Sequence, residues 1–400
     1  MDPLGHLLQA VKPSPTLAIA KLATDMRRSG IDVVGLASGE PDFPTPDHIN
    51  AAAIAAIHAG KTKYTDVDGT PELKAAIVQK FKRENNLTYE TSQVSVGTGG
   101  KQILFNAFLA TLDPGDEVII PAPYWVSYPD MVRLTGGTPI EVLCPEAQNF
   151  KITPKQLRAA ITPQTKWLIL NSPSNPTGAG YSADELRALG EVLLAHPRVH
   201  VLTDDMYEHI RYDNWTFHTI AEVVPALYER TLTVNGVSKA YAMTGWRIGY
   251  AGGPRTLINA MATIQSQSTS NPCSIAQAAA QAALNGPLDF MPSRTDTYRH
   301  RRDLCLESFN STPRLACRKP EGAFYLFPSC GMLFGGTTPK GEILKDDVDV
   351  SRYLLEEGQV AVVPGSAFGC PGYFRITFAI ATERLETACE RIHRACKQVI

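Results

Sequence analysis

Lys239 stands between Ser238 and Ala240 in the stretch Thr233–Gly253, where Arg247 is the only other cation. Its neighbours Ala240, Ala242 and Met243 would strip water from the amine, lower its pKa and make it a nucleophile toward carbonyls. Arg247, set between Gly245 and Gly249, offers a planar fork of donors to a phosphate. A carbonyl-condensing amine beside a phosphate clamp suggests pyridoxal 5'-phosphate (PLP).

Other residues suited to chemistry lie upstream. Gly97-Thr98-Gly99-Gly100-Lys101-Gln102 follows an apolar strand and opens a helix, which makes a backbone-amide cradle for an anion. Taken alone, the same turn serves any strand–helix connection. It fits neither common nucleotide signature: Gln102 holds the last glycine position of GxGxxG, and Ser95 stands where a P-loop has its first glycine. Trp125 follows another strand and has the flat face to stack on a ring, though an interface or core tryptophan would look the same. Asn175, held extended by Pro176, offers an amide to a ligand oxygen or simply makes a turn. Asp204 and Tyr207 close a third apolar run, where a carboxylate serves a site or a cap. Arg375 interrupts an alternating strand and by pattern alone belongs on the solvent face.

The elements that must position these residues alternate. Strands are expected at 93–96, 117–120, 166–170, 200–203, 231–234 and 247–251, with helices between, including 71–84 capped by Thr70 and 182–195 opened by a Ser182/Glu185 capping box. That rhythm predicts an α/β fold: a mainly parallel central sheet with helices on both faces. Beyond Pro254 a helix is expected over 256–284 and another over 288–308. Strands at 322–327 and 373–380 and helices at 347–357 and 382–397 predict a smaller α+β domain. Gly331–Lys345 reads as a mobile surface loop. Helix 16–29 and strand 31–36 belong to an N-terminal arm. The boundaries are 1–45 for the arm, packing with the small domain, 46–287 for the large domain and 288–400 for the small one.

The 400 residues carry 44% hydrophobic and 20% charged side chains, an ordinary globular composition, and a net charge of −2, which argues against nucleic acid as a partner. None of the eight cysteines forms a CxxC pair, so no metal is expected. The N-terminus does not read as a signal peptide, and no run approaches a membrane span, so a cytoplasmic protein with reduced thiols is expected.

Taken together and in order, Ser238-Lys239, Gly245-Trp246-Arg247-Ile248-Gly249, Asn175-Pro176-Thr177-Gly178, Asp204 with Tyr207, and Phe374-Arg375-Ile376 resemble fold-type I PLP-dependent enzymes of aminotransferase class I/II. The likeness covers nearly the whole chain. Val234-Asn235-Gly236, Ala240–Thr244 and Pro123–Tyr128 narrow it to the bacterial-type (subgroup 1b) aspartate aminotransferases. The resemblance implies that Lys239 holds PLP and moves the proton, and that Asp204 pairs with the ring nitrogen. It has Asn175 and Tyr207 bond the ring oxygen while Trp125 stacks on the ring. Gly99, Gly100, Lys101 and Arg247 would bind the phosphate, with Ser238 beside them and Tyr64 reaching over from the neighbouring subunit of a homodimer. Arg375 and the Gly39 backbone would take the substrate α-carboxylate. Lys101 is the first choice for a distal carboxylate, helped by Lys12, Ser14 and Thr16 on the arm. Lys12 keeps prephenate open as a second substrate beside aspartate. The function expected is transfer of the amino group of L-aspartate to 2-oxoglutarate. The alternatives are a mainly aromatic or prephenate aminotransferase and a PLP-dependent lyase or synthase. A PLP-binding transcription regulator is disfavoured by the short arm before Gly39.

Overall fold

The structure, a computed structural model, describes residues 5–9, 11 and 15–400. Seven strands build the central sheet: β1 (Val94–Gly97), β2 (Glu117–Ala122), β3 (Thr138–Leu143), β4 (Thr165–Asn171), β5 (His200–Asp204), β6 (Thr231–Gly236) and β7 (Gly249–Gly252). Their spatial order is β1-β7-β6-β5-β4-β2-β3. All run parallel except β7, which lies antiparallel to both β1 and β6. The carboxyl ends of β1, β4, β5 and β6 therefore share one edge with the start of β7. In open α/β sheets this edge is where ligands bind.

The inner strands are continuous apolar runs because helices cover both faces. Ile103, Phe108, Ile120, Trp167 and Leu202 fill one side, and Ile119, Leu168, Leu170, Leu189 and Val201 the other. Thr70 caps helix Pro71–Asn85 by accepting the Leu73 N–H, with proline at the first helical position. Ser182 and Glu185 form the expected capping box on helix Ala183–Leu194.

A separate core gathers residues from Val34 and Leu36, from Tyr207–Tyr212 and from Tyr298 to Val399. It contains the antiparallel strands Val363–Pro364, Phe374–Thr377 and Tyr325–Leu326, packed against helix Met291–Ser311 and helix Thr382–Gln398. Strand Val34–Gly35 pairs in parallel with Val360–Ala361, which ties the N-terminal segment to this half. Among the described residues, no helix is long and apolar enough to cross a membrane.

Several sequence expectations are corrected. The strand expected from Arg247 begins at Gly249, because Arg247 is left-handed (φ 56°) and closes the short turn Thr244–Trp246. The single helix expected over 256–284 is two, Arg255–Ser266 and Ser274–Asn285. Ser270 takes a left-handed φ of 61° and Pro272 has no N–H to donate, so the helix cannot run through. The 331–345 segment is largely an exposed loop, as expected, but it is anchored rather than loose. Leu333 and Leu344 are buried in this separate core, and Thr337 pairs with Ile343. The strands expected over 322–327 and 373–380 shrink to Tyr325–Leu326 and Phe374–Thr377. β3 and helix Ser127–Leu134 were not foreseen.

Candidate active site

Asp204 is the last residue of β5, lifted out of the apolar run Val201–Leu202 to the edge of the sheet. It is buried. The Tyr128 hydroxyl donates to its Oδ2 at 2.7 Å and the Met206 N–H to its Oδ1 at 3.3 Å. Burial pushes the carboxyl pKa up, while these donors and the charge of Lys239 pull it down. A fixed carboxylate in so dry a place calls for a cationic partner. On the neighbouring strand, the Asn171 amide donates to the Asp204 carbonyl at 2.8 Å, and its Oδ1 accepts the Asn175 N–H at 2.8 Å.

Asn175 Oδ1 in turn accepts a hydrogen bond of 2.9 Å from Arg375 Nη1. Arg375 also donates through Nη2 to the Ala37 carbonyl at 2.6 Å, while its buried Nε–H has no partner among the described residues. Its guanidinium lies 4.6 Å from the Tyr325 ring centroid and 5.0 Å from that of Phe368. Only 3% of Arg375 is exposed, so the solvent-face placement suggested by strand pattern is wrong. The aromatic slot explains how the strand accepts a buried cation. Tyr207 and Tyr325 share a hydrogen bond of 2.8 Å, and burial drives both hydroxyl pKa values up, which keeps them neutral.

Lys239 lies three residues beyond β6. Its Nζ donates to the Gly39 carbonyl at 2.5 Å. Burial, and then the nearby Arg375 charge, lower its pKa from 10.5 to about 8. Ser238 is buried beside it. Gly39 has to be glycine: a Cβ there would sit 2.5 Å from the Tyr325 hydroxyl.

Gly99 precedes helix Gly100–Thr111 with φ +81°, and a Cβ on it would lie 2.4 Å from Arg247 Nη2. A Cβ on Gly249 would lie 2.2 Å from the Gly100 nitrogen. Glycines thus leave the helix's first amides and the Arg247 fork side by side, a cradle shaped for an anion. Lys101 Nζ stands 4.7 Å from the Trp125 ring centroid. Desolvation and then the charge of Arg247 lower its pKa.

Gly39, Lys101, Trp125, Asp204, Lys239 and Arg375 line one cavity of about 410 Å³, with Gly100, Asn175, Tyr207 and Arg247 also in its wall. Tyr64 does not join them: it is 92% exposed on its own chain. Lys12 and Ser14 lie outside the described residues, and Thr16 falls in helix Pro15–Arg28. Tyr128, Asn171 and Tyr325 were given no role from sequence. Tyr128 sits one helical turn beyond Trp125, and Asn171 ends its strand as Asp204 ends the next, so their positions held a signal.

Fold and site together define a PLP-type aminotransferase architecture, and residues 31–392 match the family described as aminotransferase class I and II; the chain belongs to that family. Among its relatives, an aspartate/prephenate aminotransferase of Cereibacter sphaeroides is 58% identical over 98% of both chains. An aspartate aminotransferase of Rhizobium meliloti is 56% identical over 98% of this chain and 96% of the other. The crystal structure of the aspartate aminotransferase from Rhizobium meliloti superposes with a TM-score of 0.98, at 55% identity and full coverage of both chains. That of Thermus thermophilus with maleate gives 0.92 at 45% identity, covering 99% of this chain and 100% of the other.

Proposed function

We propose that the chain is a PLP-dependent aspartate:2-oxoglutarate aminotransferase that also accepts prephenate. The observation that carries this reading is the convergence of a depressed lysine amine, a buried carboxylate and a buried arginine on one cavity. The names of the relatives supply aspartate and prephenate; 2-oxoglutarate is the amino acceptor expected from the family resemblance.

The residues present fit the cofactor. The glycine cradle and Arg247 match a phosphate, Asp204 matches a protonated ring nitrogen, and the half-buried Trp125 offers a ring face. When bound, PLP supplies an aldehyde to take up the amino group and a ring to accept the electron pair left at Cα. Asn175 and Tyr207 would donate to its ring oxygen. Lys239 Nζ, with a pKa of about 8, is substantially neutral in weakly alkaline solution and takes the Cα proton as a general base. Arg375 holds the α-carboxylate through its fork, and its unpaired Nε–H adds a donor. Fixing that carboxylate sets which Cα bond faces the ring, so it favours deprotonation over decarboxylation. Lys101, and Lys12 from the arm, are assigned the distal carboxylate.

We further assign a homodimer in the cytoplasm. Tyr64 is free to serve a neighbouring subunit, and a second cavity of about 570 Å³, bearing Phe105, Leu109 and Met131, shares Lys101 and Arg247 with the first. All eight cysteines are free thiols, which suits a reducing compartment.

A half-reaction tests the function. L-Aspartate alone should convert the visible band of the loaded protein to that of the aminated cofactor, and 2-oxoglutarate should restore it. If aspartate leaves the band unchanged while glutamate and prephenate exchange amines, the prephenate reading takes precedence. Release of pyruvate or ammonia instead would mark a lyase and overturn the proposal.

A further inference from the structure

The Gly39 carbonyl that accepts from Lys239 belongs to a loop, Gly39–Thr45, which is pinned at every turn. Arg301, in the middle of helix Met291–Ser311, donates from Nη1 to both oxygens of Asp42 at 3.0 and 2.9 Å. Its Nε donates to Thr382 Oγ1 at 3.2 Å, on the first residue of the C-terminal helix of the small domain. The Arg301 side chain is only 7% exposed. Phe43 packs edge-on against Tyr298 at 5.2 Å and under Arg294 at 5.0 Å, and Arg294 donates to the Pro44 carbonyl at 2.7 Å.

The other side of the loop is fastened to the segment that carries the lysine. Thr45 Oγ1 donates to the Ala242 carbonyl at 2.7 Å and accepts from Trp246 Nε1 at 3.1 Å, and Thr244 donates to Glu40. One guanidinium therefore links the loop, the helix that spans the two halves and the small domain. The loop itself is wedged between Lys239 and the Tyr325 hydroxyl, with no room for a Cβ at Gly39.

We propose that Asp42 and Arg301 are positioning residues that hold the Gly39 carbonyl over Lys239 and couple the placement of the small domain to the state of the reactive amine. Neither touches the reacting atoms. Both act through the loop, which seals Lys239 from water and sets its distance from Glu40. The other charged groups facing the amine are Arg375, Arg247 and Asp204, each on a different segment. Loosening the loop admits water and moves Glu40 away. These oppose each other, but desolvation is the largest influence on this amine, so hydration decides the direction.

This inference rests on Lys239 being the reactive amine. The test uses the full-length chain prepared free of cofactor. Acetic anhydride labelling of Lys239 is followed by peptide mass spectrometry across pH, for wild type, Asp42→Asn, Arg301→Lys and the double variant. Arg384→Ala, which breaks a different small-domain ion pair to Asp32, is the control. The midpoint of Lys239 labelling is expected to climb by about one pH unit in either single variant, roughly a tenfold loss of neutral amine below it, with no further rise in the double. The control should lower the melting temperature without moving the midpoint. A wild-type midpoint near 10.5 would overturn the lysine assignment itself. A depressed wild-type midpoint that is unchanged in folded variants would sink the coupling alone. If Asp42→Asn does not fold, Thr382→Val removes only one hydroxyl from the Arg301 junction, and the same rise or its absence decides the matter.

Discussion

At the scale of single residues, the site is built from groups held in uncomfortable states. Lys239 is the clearest case. Its amine titrates near 8 in the folded chain against 10.5 as its ordinary value, so between those pH values the unfolded chain binds more protons. Stability from this group therefore rises with pH through that window, and its cost is fully present below about 8. Lys239→Met is expected to stabilise the cofactor-free chain at neutral pH by at most about 3 kcal/mol, seen as a higher melting temperature. The advantage should fade above pH 8, and calorimetry of the two chains over a pH series would measure it. The same variant should have no transamination activity. Arg375 makes a second case. Its planar fork reaches Asn175 and Ala37 together, which an ammonium cannot copy. Arg375→Lys is expected to raise KM for the amino acid by about 10- to 100-fold, the worth of one charged hydrogen bond. Steady-state kinetics checks this, and an unchanged KM would remove Arg375 from the carboxylate site.

At the scale of elements, the edge of the sheet decides what meets. β4, β5 and β6 end in Asn171, Asp204 and Gly236, and each delivers its next residues to the same cavity. Gly99 shows how little space is left. Gly99→Ala would put a Cβ against Arg247 in a backbone conformation that L-residues resist. Cofactor affinity is expected to fall at least about tenfold, with fold stability changed by only ~1 kcal/mol, as fluorescence titration with PLP and thermal melting would show. The inner strands were legible because burial on both faces makes them unbroken apolar runs. β3 was not, because it is an edge strand with Pro139 and a half-exposed pattern. Strand pattern alone would have misplaced Arg375 for a related reason, although the family resemblance assigned it to the site. Alternation reports which face a residue occupies, while the slot that buries the guanidinium pairs Phe368, from the turn just before the strand, with Tyr325, from a strand distant in sequence. The break at Ser270–Pro272 could have been read from Asn271-Pro272 itself. The packing of Gly331–Lys345 rests on two leucines in a glycine-rich run, too sparse a signal for any period.

At the scale of the whole molecule, the question is whether one chain holds a complete site. The cavity wall has its amine, carboxylate, arginine and glycine cradle on one chain, yet Tyr64 is exposed and does not line it. An exposed aromatic on an irregular connection would be idle in a monomer. In a two-fold dimer, each copy would lend its Tyr64 to the other, and the two sites would be completed reciprocally. Hybrid dimers separate this from a role within the chain. Tyr64→Ala and Lys239→Ala chains are each expected to be impaired as pure dimers. In the hybrid, the site that keeps Lys239 lies on the Tyr64→Ala chain and receives an intact Tyr64 from its partner. Trans action therefore predicts recovery to about half the wild-type rate in purified hybrids, since one of two symmetric sites is whole. If Tyr64 acts within its own chain, the hybrid has no complete site and gains nothing. Co-expression with two affinity tags, followed by the half-reaction on the doubly tagged fraction, distinguishes these outcomes.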